Sequence, residues 1–216
     1  MRSTLCALLA AALFVPGLAA AQAPAQTPPA AQGQGGGQRQ GGPPAPKLTV
    51  TSTAFADGAE IPMHYSARGD NKSPAFEFKW FTGTSPSAAP AGLQSYAVIF
   101  HDVENSSNRT TADTLHWAAF NIPGTATGLP EGLGPGDLPD GTINGPGLSR
   151  RNNNPGAYFG PGAGAGPLHH YVFEFYALDT KLSLTHTGSR DDLLKAMDGH
   201  VIGKAAYFGR FAAPPQ

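Results

Sequence analysis

Residues 95–100 read Ser-Tyr-Ala-Val-Ile-Phe and run directly into His101-Asp102-Val103-Glu104. The first six are nearly all apolar and include the β-branched pair Val98 and Ile99, so they read as a central strand. Leu115–Ile122 (LHWAAFNI) and Tyr171–Leu178 (YVFEFYAL) read the same way. Phe76-Glu77-Phe78-Lys79-Trp80 alternates apolar and charged residues, the period-two mark of a half-buried strand. Leu48–Ala54 suits a first strand and Val201–Phe211 a last one. A helix is predicted over Arg190–Met197, with Ser189 as N-cap, Asp191 and Asp192 in the first turn and Gly199 at its end. Leu193, Leu194 and Met197 are spaced to face a sheet. Five or more strands with one or two short helices predict a mainly β fold, an antiparallel sandwich with Greek-key connections.

Outward from these strands the texture changes. Pro130–Leu168 carries almost no apolar period and is rich in Gly and Pro (Gly132, Gly134, Pro135, Gly136, Gly160, Pro161). It is expected to be a long functional loop that packs on itself and approaches something closely. At the other end, Met1-Arg2, the apolar run Leu5–Val15 and Ala19-Ala20-Ala21 fit a signal peptide over residues 1–21, with a run too short for a comfortable membrane span. Residues 22–46, built from Ala, Gln, Gly and Pro, cannot bury enough surface to offset ordering entropy and are expected to be a disordered linker. The folded domain is then 47–211, with a tail at 212–216, and the destination is the periplasm or the outside of the cell.

Composition removes several function classes. Charged residues are 13% of the 216 and the net charge is −1, with no basic stripe for a nucleic-acid backbone. Arg150-Arg151 is isolated and reads as a solvated loop. The only cysteine, Cys6, lies in the export segment, so the mature chain has no disulfide, cysteine nucleophile or thiolate metal site. No Gly-x-Ser-x-Gly elbow is present, which speaks against serine catalysis.

The seven histidines are the sharpest chemical material. His116 lies inside a strand pattern, His169 and His170 precede another, and His101 and Asp102 end a third with Glu104 beyond. Polar residues at strand ends gather at one rim of a sandwich, where they converge on a shared pocket. Imidazole and carboxylate there have three uses. They bind a metal, relay protons, or hold a phosphate or carboxylate with help from glycine N–H groups. Spacing disfavours the metal: no His-x-His pair and no His-Glu-x-x-His run occurs. His169 and His170 are adjacent, so on a strand at most one of them enters the pocket. His64, His101 and His200 are expected to pack or face water, and His186 to sit on an exposed loop. Trp117 and Tyr171 read as core or pocket walls.

The order of pieces resembles the bacterial, Raf-kinase-inhibitor-like branch of the phosphatidylethanolamine-binding protein family. The pieces are Phe55-Ala56-Asp57-Gly58 with Ile61-Pro62, Asn71-Lys72-Ser73-Pro74, Phe78-Lys79-Trp80, Ala97–Asp102, His116-Trp117 with Asn121-Ile122-Pro123, Tyr158-Phe159-Gly160-Pro161, His169–Phe173, Tyr176–Asp179 and Gly199-His200-Val201. The resemblance spans about residues 48–211. It implies a Greek-key β-sandwich with a small anion-binding pocket, whose roles fall on Asp102, Glu104, His116, Gly160, Pro161, His169 and Tyr171. Three departures stand out. The acidic motif reads Asp102-Val103-Glu104-Asn105-Ser106 where Asp-Pro-Asp-Ala-Pro is usual. His170 replaces the usual Arg, and the loop Gly162–Gly166 lacks the usual Cys-Pro-Pro.

The expectation is an exported protein that binds a small anion or a phospholipid head group, with no catalytic residue, metal or cofactor, no nucleic acid and no membrane span in the mature chain. Two alternatives stand beside it: an inhibitor of a periplasmic protease or other enzyme acting through the Pro130–Leu168 loop, and a metal-dependent hydrolase using the same rim.

Overall fold

The computed structural model describes residues 44–106, 110–148 and 156–215. The expected signal peptide with Cys6, nearly all of the expected linker and the Arg150-Arg151 pair lie outside the described residues. In chain order the elements are β1 (Lys47–Thr51), a 3-10 turn (Met63–Tyr65), β2 (Phe76–Thr82), β3 (Ser85–Ser87), β4 (Ser95–Ser106), β5 (Asp113–Pro123), β6 (Gly128–Leu129), β7 (Ile143–Gly147), β8 (His169–Leu178), α1 (Arg190–Met197) and β9 (Val201–Phe211).

Every pairing between these strands is antiparallel. One sheet runs β1-β2-β3 with β6 against β2, and the other runs β7-β5-β4-β8-β9. β2 buries alternate residues, with Phe76, Phe78 and Trp80 inward and Glu77 and Lys79 outward. Its outer face is solvated, which is why its sequence alternates. β4 differs: Ser95–Asp102 are all buried. Tyr96, Val98 and Phe100 face the sandwich core with Trp117, Phe173 and Phe175. Ala97 and Ile99 face the opposite way and pack with Ala118, Phe120, Leu178, Leu182, Leu193 and Met197. The continuous apolar run is therefore the signature of a strand covered on both faces.

The helix that does this covering has the expected bounds. Ser189 accepts from the Asp192 N–H while Asp192 accepts from the Ser189 N–H, a reciprocal cap. Leu193 and Met197, four residues apart, are buried, whereas Leu194 is 39% exposed. Its expected inward position is a correction: the step of about 100° per residue turns it off the stripe defined by Leu193 and Met197.

The loop expected over Pro130–Leu168 also needs correcting, because it contains β7. The sequence Ile-Asn-Gly-Pro-Gly has no apolar alternation to announce a strand. Among the described strands it pairs with β5, at the edge of its sheet, where proline is tolerated, and Ile143 also bridges to Asp137. Asn144 fixes the segment. It is fully buried, its Nδ2 donates to the Gly134 and Gly136 carbonyls at 2.9 and 2.8 Å, and its Oδ1 accepts from Trp117 Nε1 at 2.8 Å.

β5 carries two bulges. Phe100 pairs with Trp117 but His101 with Leu115, leaving His116 as an extra residue. Tyr96 pairs with Ile122 but Val98 with Ala119, a second one-residue excess beside Asn121, whose φ is +56°. A bulge re-aims side chains without ending the pairing.

Replacing Asn144 by alanine strands a buried indole N–H and removes the donor to two carbonyls. We expect a stability loss of about 3 kcal/mol or more, at about 1–3 kcal/mol per unsatisfied buried group. Urea unfolding measures it, and a loss under about 1 kcal/mol would show that water replaces the amide.

Candidate functional site

The rim at the end of the inner face of the five-stranded sheet collects the polar side chains. Asp102 and Tyr171 are register partners on β4 and β8, and they share the inner face with Phe100 and Phe173. His169 lies two residues before Tyr171, so its side chain falls on the same face. His116, extruded by its bulge, stands 5.4 Å from the Phe100 ring and 5.3 Å from that of Tyr171. The His169 ring stacks against Tyr171 at 6.4 Å. The structure thus brings both imidazoles and the Asp102 carboxylate around one tyrosine.

Asp102 is 2% exposed, so its charge has to be met from inside the protein. Its Oδ1 accepts from the Glu104 and Asn105 N–H groups, both at 3.1 Å, and its Oδ2 lies 2.8 Å from His169 Nδ1. A carboxylate only accepts, so Nδ1 carries the proton and the Nε2 of a neutral ring presents a lone pair. His116 has the same arrangement by other means: its Nδ1 lies 3.0 and 3.1 Å from the Phe159 and Gly160 carbonyls. Its burial pushes the imidazole pKa down against smaller opposing effects from those carbonyls and from Asp102, which favours the neutral ring.

The loop over His116 is positioned from within the core. Tyr158 stacks on Phe100 with rings 5.5 Å apart and donates to the Tyr65 carbonyl at 2.9 Å. Gly160 donates to Asn71 Oδ1 at 2.8 Å and lies so close to the Tyr65–Ala67 backbone that a Cβ would meet the Tyr65 carbonyl oxygen at 2.1 Å. Pro161 is buried, and its carbonyl accepts from the Ala67 N–H at 2.9 Å. The expected close approach of this loop is thus an approach to backbone. Gly160 and Pro161 position the imidazole, and Gly160 offers its carbonyl to His116 while its N–H is already bonded.

Tyr171 is fully buried, and its hydroxyl makes no hydrogen bond among the described residues. Burial first, and then the nearby Asp102 carboxylate, push its pKa well above the ordinary phenol value, so it stays a protonated donor. Glu104 is exposed and turns outward, accepting from the His170 N–H and lying 2.6 Å from His170 Nδ1. Burial alone would raise its pKa, but the contacts with His170 and the field of His169 outweigh this and lower it. Of the adjacent pair, His169 enters the site and His170 stays at the surface, as strand geometry requires.

The other histidines lie elsewhere. His64, His186 and His200 stand at the surface within reach of carboxylates. His101 is buried on the outer face of the same sheet, with Nδ1 2.5 Å from Asp113 and Nε2 3.7 Å from Glu174. Asp113 also pairs with Arg190, and Glu174 with Lys204. A surface cavity of about 330 Å³ lined by Asp113, Leu115, Ser189 and Arg190 lies on that outer side. The carbonyls of Phe159 and Gly160, the Asn71 amide and the Tyr158 ring were not foreseen as supports of the site. Only their place in recurring short motifs could have flagged them.

Comparison with known proteins agrees with this architecture. A family model described as phosphatidylethanolamine-binding protein matches residues 51–212. A UPF0098 protein of Methanothermobacter thermautotrophicus is 36% identical over 167 residues, covering 76% of this chain and 98% of its own. LppC of Mycobacterium tuberculosis, a candidate lipoprotein, is 29% identical and covers 78% of this chain and 74% of its own length. The crystal structure of a candidate phosphatidylethanolamine-binding protein homologue of Chlamydia trachomatis superposes with a TM-score of 0.62 at 29% identity, over 78% of this chain and 99% of that one. No described helix is long and apolar enough to cross a membrane. With the two sheets, their register and a family match running from β1 to the end of β9, the chain belongs to the phosphatidylethanolamine-binding protein family.

Proposed function

We propose that this chain is an exported binding protein that holds a small anionic group (a phosphate, a carboxylate or a phospholipid head group) between His116, His169 and Tyr171, and that it does no chemistry on it. The observation that carries this reading is the unmet hydroxyl of Tyr171, a buried donor flanked by two imidazoles whose Nδ1 atoms are already engaged. Buried polar groups are almost always paired, so an orphan donor in a rim is a place for an acceptor from outside. In their neutral forms the two Nε2 atoms accept. The best ligand is then an acid that keeps one proton of its own, such as a monohydrogen phosphate or a phosphomonoester. Asp102 holds His169 in orientation, and the Gly160-Pro161 turn holds His116. Export is supported by the amino-terminal pattern and by the likeness to a candidate lipoprotein.

Calorimetric titration of the full chain with phosphate, acetate and phosphoethanolamine is expected to show one site. Replacing His116 or His169 by alanine weakens it about tenfold or more. Tyr171→Phe is sharper, because it removes an atom without a partner. Stability holds or rises, while affinity falls about three- to tenfold for one lost hydrogen bond. Affinities unchanged in all three variants would end the reading.

Burial of neutral His116 also sets a pH dependence. Below about pH 6.5 the unfolded chain takes up a proton that the native imidazole resists, so stability from this group is complete above that pH and declines as the pH falls toward the lowered native pKa. In scanning calorimetry without phosphate, the melting temperature of the wild type is expected to fall more steeply from about pH 7 to 5 than that of His116→Gln. Parallel curves would show that the ring titrates freely in the native state. Export predicts a mature amino terminus at Gln22 by mass spectrometry of protein from the expressing cells. An intact Met1 terminus would contradict it.

A further inference from the structure

Beside the two imidazoles, the same rim collects two carboxylates. Asp102 and Glu104 from the end of β4 and His169 from the start of β8 each offer a ligand atom, and these atoms all lie within 4.8 Å of one another. Asp102 is buried, His169 half-buried and Glu104 exposed. An acidic rim of this kind is ordinary when solvated. Here a second, independent feature points to an occupant.

That feature is Tyr171, opposite Asp102 in register and stacked against the His169 ring. Asp102, Gly162 and Ala163 are near enough to shift its pKa, yet none meets the hydroxyl with hydrogen-bond geometry. A fully buried O–H aimed at this group of ligands needs an acceptor that the protein does not supply. A water or anion held on a cation is such an acceptor.

We propose that Asp102, Glu104 and His169 form a site for a borderline divalent cation of the zinc class, bound by two carboxylate oxygens and one imidazole nitrogen, with a remaining position open to a water or anion that Tyr171 meets. The donor set selects the metal class. Calcium and magnesium prefer all-oxygen shells, whereas a nitrogen with two oxygens suits zinc and its neighbours. Metal–ligand bonds of about 2.0–2.1 Å place tetrahedral ligands about 3.3 Å apart. His169 Nδ1 and Asp102 Oδ2 already stand at 2.8 Å; the ion takes the place of the proton between them, and that proton moves to Nε2 of the neutral ring. Glu104, exposed and carried on a turn without proline, swings in from His170 to complete the set. Three protein ligands leave the coordination open, the pattern of sites that hold exchangeable ligands.

The inference shares Tyr171 with the anion reading but rests on the ligand cluster of Asp102, Glu104 and His169. The ion binds with or without an anion, although its charge strengthens any anion on the open position. The test uses the full chain without a histidine tag, stripped with chelator and titrated with zinc chloride alone in phosphate-free buffer. We expect one equivalent bound and a rise in melting temperature. Glu104→Gln, an exposed change that leaves the fold intact, weakens binding about tenfold or more. Asp102→Asn abolishes it if that variant folds. His64→Ala, which breaks the surface cluster with Asp70 and Glu131, leaves it unchanged. No binding, binding unaffected by Glu104→Gln, or binding lost in His64→Ala would each overturn the proposal. The phosphate titration is run on the chelator-stripped wild type, to which no zinc contributes, so the two readings fail separately.

Discussion

Asp102 is a charge placed almost wholly out of water, and the arrangement of the rim follows from meeting that charge. Two backbone N–H groups from the turn into Glu104 and Asn105 engage one oxygen, and the His169 ring engages the other. Removing one partner of a buried charge costs far more than the contact appears to contribute, because the remaining charge is left uncompensated. The same bonds that satisfy the carboxylate therefore lock the last residues of β4 and set the His169 tautomer, while the ladder between β4 and β8 fixes the register. Tyr171, paired across from Asp102, is carried into the rim as a consequence.

The two faces of the five-stranded sheet divide the chemistry. On the outer face Asp113 meets Arg190 and Glu174 meets Lys204, two carboxylates on fixed cations, with the His101 ring between the carboxylates. On the inner rim the partners of the carboxylates are imidazoles, whose charge depends on protonation and on ligands. On the outer face, fixed cations meet the carboxylates directly, and the Arg190–Asp113 pair ties α1 to the sheet. Imidazoles leave the inner rim dependent on what enters it.

Much of this was legible in the sequence because burial writes itself into hydrophobic period. The run Ser95–Phe100 marked β4 because both of its faces are covered, and Phe76–Trp80 alternated because only one face of β2 is. Ser189, Asp191 and Asp192 announced the helix start through capping chemistry. What escaped has equally physical causes. β7 is specified by the side-chain amide of Asn144 and by edge pairing, neither of which leaves an apolar pattern. Leu194 was misassigned because three apolar residues in one turn and a half do not all share a stripe. The rim residues were named from strand ends and family motifs together. That His116 stands out of the β5 ladder is a register feature, invisible in a single strand.

That bulge has an implication for how the family can change. His116 is the surplus residue of a two-against-one pairing, so the apolar residues on either side keep their phase because of it and would also keep it in a regular ladder one residue shorter. A single-codon deletion there removes the imidazole and leaves Trp117 and Leu115 opposite plausible neighbours. The His116 imidazole is thus the one rim group held by a surplus residue, whereas Asp102, His169 and Tyr171 sit in the regular ladder of β4 and β8.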